Sequence, residues 1–338
     1  MRATLKDIAD RSGFSITTIS RALAGYDDVS EKTRQQILKI ADELGYQPNH
    51  IARQLQGQRT YTIGLIMPPR LHSDDDDFFS RLLKSMTYTA ARNRYDVLVS
   101  ATVPDSSEMD AYRRIVGGNR VDGMVLARTF LDDPRIAYLQ SVNHPFIVLG
   151  RNAPFAASDF PYIDVDSEAG LRTLVAHMIA RGHHHIGIIL PPEDVTFTAY
   201  RLAGYQAALT EAAIPYRPEY CIHADLSFSG GEEAARLLLA KQPDITAIVG
   251  CNDWMALGAM HCAQELGHVV GDDFAIGGYD DIPAAAGAVP SLTTIRWPIY
   301  AVGEELTQRL LRFIAHDPDV ERQQLIVPEL IIRRSTGG

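Results

Sequence analysis

Thr4-Leu5-Lys6-Asp7-Ile8-Ala9-Asp10-Arg11-Ser12-Gly13-Phe14-Ser15-Ile16-Thr17-Thr18-Ile19-Ser20-Arg21-Ala22-Leu23 is the stretch on which the reading of this chain turns. Thr4 stands at a helix N-cap, and Asp7, three residues on, suits the positive helix end. Leu5, Ile8 and Ala9 supply one apolar face as far as Ser12. Gly13 breaks the helix, and Phe14 is a core residue of the turn. Ser15 caps a second helix, residues 16–23, which turns Ile19, Ala22 and Leu23 inward. Gly25-Tyr26-Asp27-Asp28 reads as a loop. Ser30 caps a third helix from Glu31 to Leu44, with Ile37, Ile40 and Leu44 on one stripe, and Gly45 stops it. Three short helices with a glycine in the turn between the first two form the helix-turn-helix pattern.

The second of these helices has the make-up of an element that enters the major groove. Ile16, Thr17 and Thr18 at its exposed front are small enough for the backbone to approach bases. The threonines can hydrogen-bond to bases or phosphates, and Ile16 can touch a thymine methyl. Ser20 and Arg21 follow one turn later, where Arg21 can meet a guanine edge or a phosphate. The same spacing also fits a plain three-helix bundle with solvated threonines. Beyond Gly45-Tyr46-Gln47-Pro48-Asn49, residues 50–56 are too few for a stable isolated helix. Ile51, Ala52 and Leu55 would pair two copies of the segment, and an apolar side chain there can wedge into a minor-groove step. A linker carrying one stray hydrophobe reads equally well.

The residues Leu5-Lys6-Asp7-Ile8-Ala9, Gly13-Phe14-Ser15, Thr18-Ile19-Ser20-Arg21, Val29-Ser30, Thr33-Arg34, Gly45-Tyr46-Gln47-Pro48-Asn49 and Ala52-Arg53 resemble the head of the lactose-repressor (LacI/GalR) family of transcriptional regulators. The resemblance is dense and free of gaps. It implies a dimeric reader of a near-palindromic operator, with Leu55 at the intercalating position and a hinge that folds on the operator. The duplex-facing set is then Thr4, Ser15, Ile16, Thr17, Thr18, Ser20, Arg21, Asn49, Ala52 and Leu55.

From Thr60 the rhythm changes. Apolar runs at residues 62–67, 95–99, 123–126, 146–149, 162–165, 185–190, 246–249 and 274–277 alternate with helical stretches. Continuous Val/Ile/Leu runs between helices mark buried strands of parallel sheets. This body divides near Pro161 into two doubly wound α/β lobes. Ligands of such sheets bind at strand carboxyl ends, which directs attention to Arg151, Asn252, Asp280 and Trp297, and to Arg201 at a helix start. Amide and charged groups beside an aromatic face suit a hydroxyl-rich ligand such as a sugar. Equally, Asn252 and Asp280 can be helix caps and Arg201 a surface residue.

The resemblance continues through Arg201-Leu202-Ala203-Gly204-Tyr205, Asn252 to Gly258, Gly278-Tyr279-Asp280-Asp281 and Leu292 to Ile295. It implies a periplasmic-binding-protein-like fold with Arg201, Asn252 and Asp280 at effector-contacting positions and Phe79 and Trp297 lining the pocket. Arg151 stands where several members place an acid and Leu226 where some place an aromatic, so the effector is not read from any one relative. The resulting organisation is a helix-turn-helix head at 1–48, a hinge at 49–60 and a two-lobed effector-binding and dimerisation body at 61–338.

Bulk properties agree. The 338 residues exceed one core, and the net charge is −10. Residues 1–60 hold nine Lys/Arg against seven Asp/Glu, the remainder 23 against 35, a mildly basic head on an acidic body. No 18-residue apolar run spans a membrane, and the start lacks the apolar core of a secretory signal, so a cytoplasmic location is expected. Cys221, Cys251 and Cys262 follow no disulfide or metal spacing. His183-His184-His185 enters a strand, where neighbours face opposite ways and cannot share one ion. The Asp74–Asp77 run reads as a solvated loop. No metal, cofactor or catalysis is expected: Asp280 and Asp281 are adjacent and offer no separated acid and base. A sugar-uptake receptor would share the body but has no use for the head.

Overall fold

The computed structural model describes residues 3–24, 26, 28–46, 59–67, 77–102, 107–152 and 158–338. The chain forms two compact units, Met1–Thr60 and Tyr61–Gly338. In the first, α1 (Leu5–Ser12), α2 (Ile16–Ala24) and α3 (Glu31–Glu43) close over Ile8, Ile19, Ala22, Val29, Ile37 and Ala41. Each helix start is written locally. The Thr4 hydroxyl accepts from the Asp7 amide while the Asp7 carboxylate accepts from the Thr4 amide at 2.7 Å, a reciprocal capping box. Ser15 Oγ accepts from the Thr18 amide at 3.1 Å, and Ser30 Oγ from the Thr33 amide at 3.3 Å. Gly13 ends α1 at φ 75°, a left-handed conformation that costs glycine nothing.

The second unit contains two six-stranded sheets. The first runs β2 (Asp96–Ala101), β1 (Thr62–Met67), β3 (Gly123–Ala127), β4 (Phe146–Leu149), β5 (Tyr162–Val165) and β11 (Gln323–Ile326), all parallel. The other runs β7 (Cys221–His223), β6 (Ile186–Leu190), β8 (Ala247–Gly250), β9 (Ala275–Asp280), β10 (Thr293–Arg296) and β12 (Glu329–Ile331), with only β12 antiparallel. Burial on both faces explains the unbroken apolar strands: β3, β4, β6 and β8 have no exposed residue.

The lobes are not separated by one cut. The chain leaves the first lobe after β5, four residues beyond Pro161, returns to it after β10 and leaves again after β11. The return is driven by the helix Ile299–Ile314, whose buried Val302, Leu306, Leu310 and Ile314 form an apolar stripe. It packs on the first lobe, where Ser85 donates to the Tyr300 carbonyl at 2.5 Å and an added Cβ at Gly123 would meet Leu310 and Ile314 at 2.9 Å. Three crossings leave the carboxyl ends of both sheets facing one cleft.

Candidate functional site

On the head, Thr4, Ser15, Thr17 and Arg21 are exposed, Ile16 is half exposed, and Thr18 and Ser20 are partly covered. Two of the polar groups serve the helices themselves: Thr4 is the α1 cap, and Ser15 Oγ and Thr18 Oγ1 lie 2.9 Å apart at the α2 start. Arg21 is engaged. Its Nη2 sits 2.6 Å from Asp28 and its guanidinium 4.8 Å from the Tyr26 ring centroid. Both partners of this ion pair are about half exposed, so it is weak and exchangeable against phosphate or a base edge. Ile16, Thr17 and Arg21 thus share one accessible helix surface. Asn49, Ala52 and Leu55 lie outside the described residues.

In the body, a cavity of about 910 Å³, counted to its open mouth, lies between the sheets. Phe79, Arg201, Asn252, Asp280 and Trp297 all line it. Arg151 does not. It sits behind the wall, bonding Asp164 at 3.0 Å and lying 3.9 Å from the Tyr200 ring centroid, and those two residues face the cavity. Arg151 therefore orients lining groups. Leu226 forms part of the wall and, at φ 72°, turns its carbonyl to the Asn252 amide at 2.8 Å.

Asp280 is the chemical centre of the cavity. Among the described residues its carboxylate accepts no hydrogen bond, and Arg201 Nη2 stands 3.9 Å away. Burial pushes its pKa up to about 7, against the pull of Arg201 and Arg81. Arg201 donates Nη1 to the Cys251 carbonyl, lies between the Phe197 and Tyr279 rings at 4.4 and 4.1 Å, and leaves a buried Nε without an acceptor. Asn252 caps the helix Asp253–Glu265, its Oδ1 accepting from the Met255 amide at 2.8 Å, and still lines the cavity. Capping and lining are one geometry at a strand–helix junction. Trp297 stands edge-on to Phe78 at 5.5 Å and leaves a buried indole N–H unpartnered. Asp164 is raised to about 6 by burial, with Arg151 opposing.

The sequence reading did not single out Phe78, Arg128, Thr129, Asp164, Thr196, Phe197 and Tyr200, all of which line the cavity. Signals existed for some. Arg128 and Thr129 follow β3 at its carboxyl end, Asp164 is a charge within an apolar run, and Phe197 precedes Arg201 by one helical turn. The clasp Thr129–Leu131 to Asp194–Thr196 joins the lobes beside the cavity. There Thr129 Oγ1 and Thr196 Oγ1 lie 2.6 Å apart, the Thr196 amide donates to the Thr129 carbonyl at 3.2 Å, and Phe130 bridges Val195. Gly150, at φ 121°, passes so close that an added Cβ would lie 2.7 Å from Thr129 Oγ1.

Other clusters are internally spent. Glu232, His261 and Glu265 bring ligand atoms within 4.8 Å, but Arg236 bonds the two carboxylates at 3.0 and 2.5 Å. His183 bonds Thr246 and His185 bonds Tyr220, so they serve different partners. Asp74, Asp75 and Asp76 lie outside the described residues. No described helix is long and apolar enough to cross a membrane.

Comparison with known proteins places both units. Residues 4–49 match the bacterial regulatory proteins of the lacI family, and residues 175–336 the periplasmic binding protein-like domain. The HTH-type transcriptional regulator AglR of Rhizobium meliloti (strain 1021) is 31% identical over 341 residues, covering 100% of this chain and 95% of its own. The lac repressor dimer bound to operator and the anti-inducer ONPF superposes with a TM-score of 0.85 at 29% identity over 100% of both chains. The complex of the transcriptional regulator CelR with cellobiose superposes at 0.76 and 27% identity, over 99% of this chain and 100% of that one.

Proposed function

The chain belongs to the lacI family of bacterial regulatory proteins, and from that premise we propose that a sugar or sugar derivative, bound around Asp280 and Arg201, sets its affinity for operator DNA. The protein is a DNA-binding transcription regulator and not an enzyme. It acts in the cytoplasm as a homodimeric repressor, reading the operator through Ile16, Thr17, Thr18, Ser20 and Arg21, with Leu55 as the minor-groove wedge. The observation that supports the effector reading is the pairing of an unbonded Asp280 carboxylate with the unpartnered Nε of Arg201 in one aromatic-walled cavity. A ring hydroxyl satisfies both at once, donating to the acid and accepting from the guanidinium, while Trp297 and Phe79 cover the apolar ring face.

Because residues of both lobes line the cavity, the ligand favours one lobe arrangement by its differential affinity, and that preference reaches the segment at 49–60. The test is operator binding by fluorescence anisotropy with and without mono- and disaccharides, on wild type and Arg201→Ala. Wild type is expected to change its operator affinity with at least one sugar, and Arg201→Ala to bind operator normally without responding. A variant that responds like wild type removes Arg201 from the site.

A further inference from the structure

We propose that the effector carries an anionic group, a phosphate or a carboxylate, and that Arg128 receives it. The inference rests on the cleft being the effector site and narrows the ligand to a hydroxylated ring with one acidic substituent.

Arg128 follows β3 at its carboxyl end in a left-handed conformation, φ 58°, and lines the cavity with its Cζ 5.9 Å from the Phe79 ring centroid. Among the described residues its guanidinium makes no hydrogen bond and no ion pair. The arginines around it are all engaged. Arg135 binds Asp133 at 2.6 Å and Glu108 at 2.9 Å, Arg151 binds Asp164, and Arg201 binds the Cys251 carbonyl. Burial disfavours the charge on Arg128 and the like charge of Arg135 adds to this; Glu108 and Asp194 oppose both from beyond ion-pair distance. Glu108 is moreover already taken by Arg135. A half-buried cation with five donors in a planar fork and no acceptor is matched by a carboxylate or phosphate, which takes two of those donors side by side. A neutral hydroxyl accepts singly and leaves the charge uncompensated.

The acids of the cavity do not meet this need. Arg151 and Arg201 pull on Asp164, Arg201 and Arg81 on Asp280. The cavity therefore has two ends: an acid end that takes hydroxyl donors and a cationic end at Arg128, with Phe79 beside it.

The experiment titrates the full-length protein with glucose 6-phosphate, gluconate and glucuronate, and with neutral glucose and cellobiose, by calorimetry and thermal shift. Wild type is compared with Arg128→Asn, Arg128→Lys and Arg201→Ala. Asparagine is chosen because it tolerates the left-handed backbone, and as no carboxylate is bonded to Arg128 the fold stands without it. At least one anionic compound is expected to bind wild type and to weaken about 10- to 100-fold in Arg128→Asn, with partial recovery in Arg128→Lys. The phosphate and carboxylate arms distinguish the two sources of charge. The proposal is overturned if no anionic compound stabilises wild type more than Arg128→Asn, or if a neutral sugar binds more tightly than every anionic one and is indifferent to Arg128→Asn. That second result, with binding lost in Arg201→Ala, leaves the effector cleft standing. Binding of every compound unchanged in Arg201→Ala removes Arg201 from the site and, with it, the reading on which this inference rests.

Discussion

Thr196→Val tests whether the lobe clasp sets ligand affinity. Thr129 and Thr196 are both buried, and their hydroxyls meet at 2.6 Å across the lobes. Thr196 Oγ1 also reaches the Thr129 carbonyl at 3.3 Å, while the only other partner of the Thr129 hydroxyl among the described residues is the Arg151 carbonyl at 3.4 Å. Valine keeps the shape of threonine and removes the hydroxyl. A buried group left without its partner costs about 1–3 kcal/mol. The long contact to Arg151 leaves Thr129 a poor substitute, which puts the expected cost in the lower half of that range. Charged to the clasped arrangement alone, about 1–2 kcal/mol shifts the lobe equilibrium roughly 5- to 30-fold. A ligand that needs both lobes then loses apparent affinity in proportion to the depleted fraction. Thr196 also opens the helix Thr196–Glu211, which carries Phe197, Tyr200 and Arg201, so the clasp and the binding wall move as one piece. The double variant Thr129→Val/Thr196→Val is the discriminating control. Removing both hydroxyls replaces a polar pair by an apolar one and is nearly neutral, so it recovers most of the lost affinity. Calorimetric titration and scattering-derived lobe separation read the outcome. Wild-type affinity in the single variant, or a double variant as weak as the summed singles, refutes the reasoning.

Asp280→Asn bears on pH. The raised pKa means that the folded protein holds the proton more tightly than the unfolded chain, so this stabilisation is complete at acid pH and is lost as pH rises through about 7. The variant has no such loss, and its melting temperature relative to wild type rises between pH 5 and 8; a constant difference removes Asp280 as the titrating group. Asp28→Ala releases Arg21 from its 2.6 Å partner, and operator binding by anisotropy tightens by up to about 5-fold at low salt, fading as salt is added. Weaker binding would show that Asp28 positions Arg21 for the duplex. Gly13→Ala meets no atom within 4 Å but forces alanine to φ 75°. The cost of about 1 kcal/mol appears as roughly 5-fold faster amide exchange at Ile19 and Ile37, and unchanged exchange contradicts the strain argument.

The head was legible because its signals are local. Thr4 with Asp7, Ser15 with Thr18, Ser30 with Thr33, and Gly13 each act within four residues, and the helix bounds follow to within one residue. Eight body strands were legible as apolar runs, but β10 opens on two threonines, and β7, β11 and β12 are short and carry exposed or half-buried residues. Nor does any local pattern reveal that Gln323 pairs with Tyr162. The cleft was legible wherever a polar residue follows a strand. It was not legible whether such a residue faces the cavity or stands behind it. Arg151 satisfies the strand-end rule yet is drawn back by Asp164 and Asp166, at 3.0 and 3.8 Å.

Asp280 and Asp281 occupy φ 113° and 50° in succession, a conformation side chains rarely hold unless the surroundings impose it. Here they do. Arg296 and Arg333 grip Asp281 at 2.7 and 2.6 Å and, against the effect of burial, hold its pKa below the ordinary range. The buried Asp253 accepts from the Ile282 amide and from Thr294, fixing the chain just beyond. A further contact comes from the other lobe: Arg81, on the helix Asp77–Arg92, donates to the Asp281 carbonyl at 3.2 Å. Arg81 therefore braces the turn that aims the Asp280 carboxylate from across the cleft, and the threonine clasp ties the same two lobes together. Separating the lobes breaks both braces together, so a ligand that engages Asp280 and Arg201 on the second lobe and Phe79 and Arg128 on the first finds its full set of partners only in the braced arrangement. Differential affinity of that kind is the sole means by which a bound small molecule can move an equilibrium.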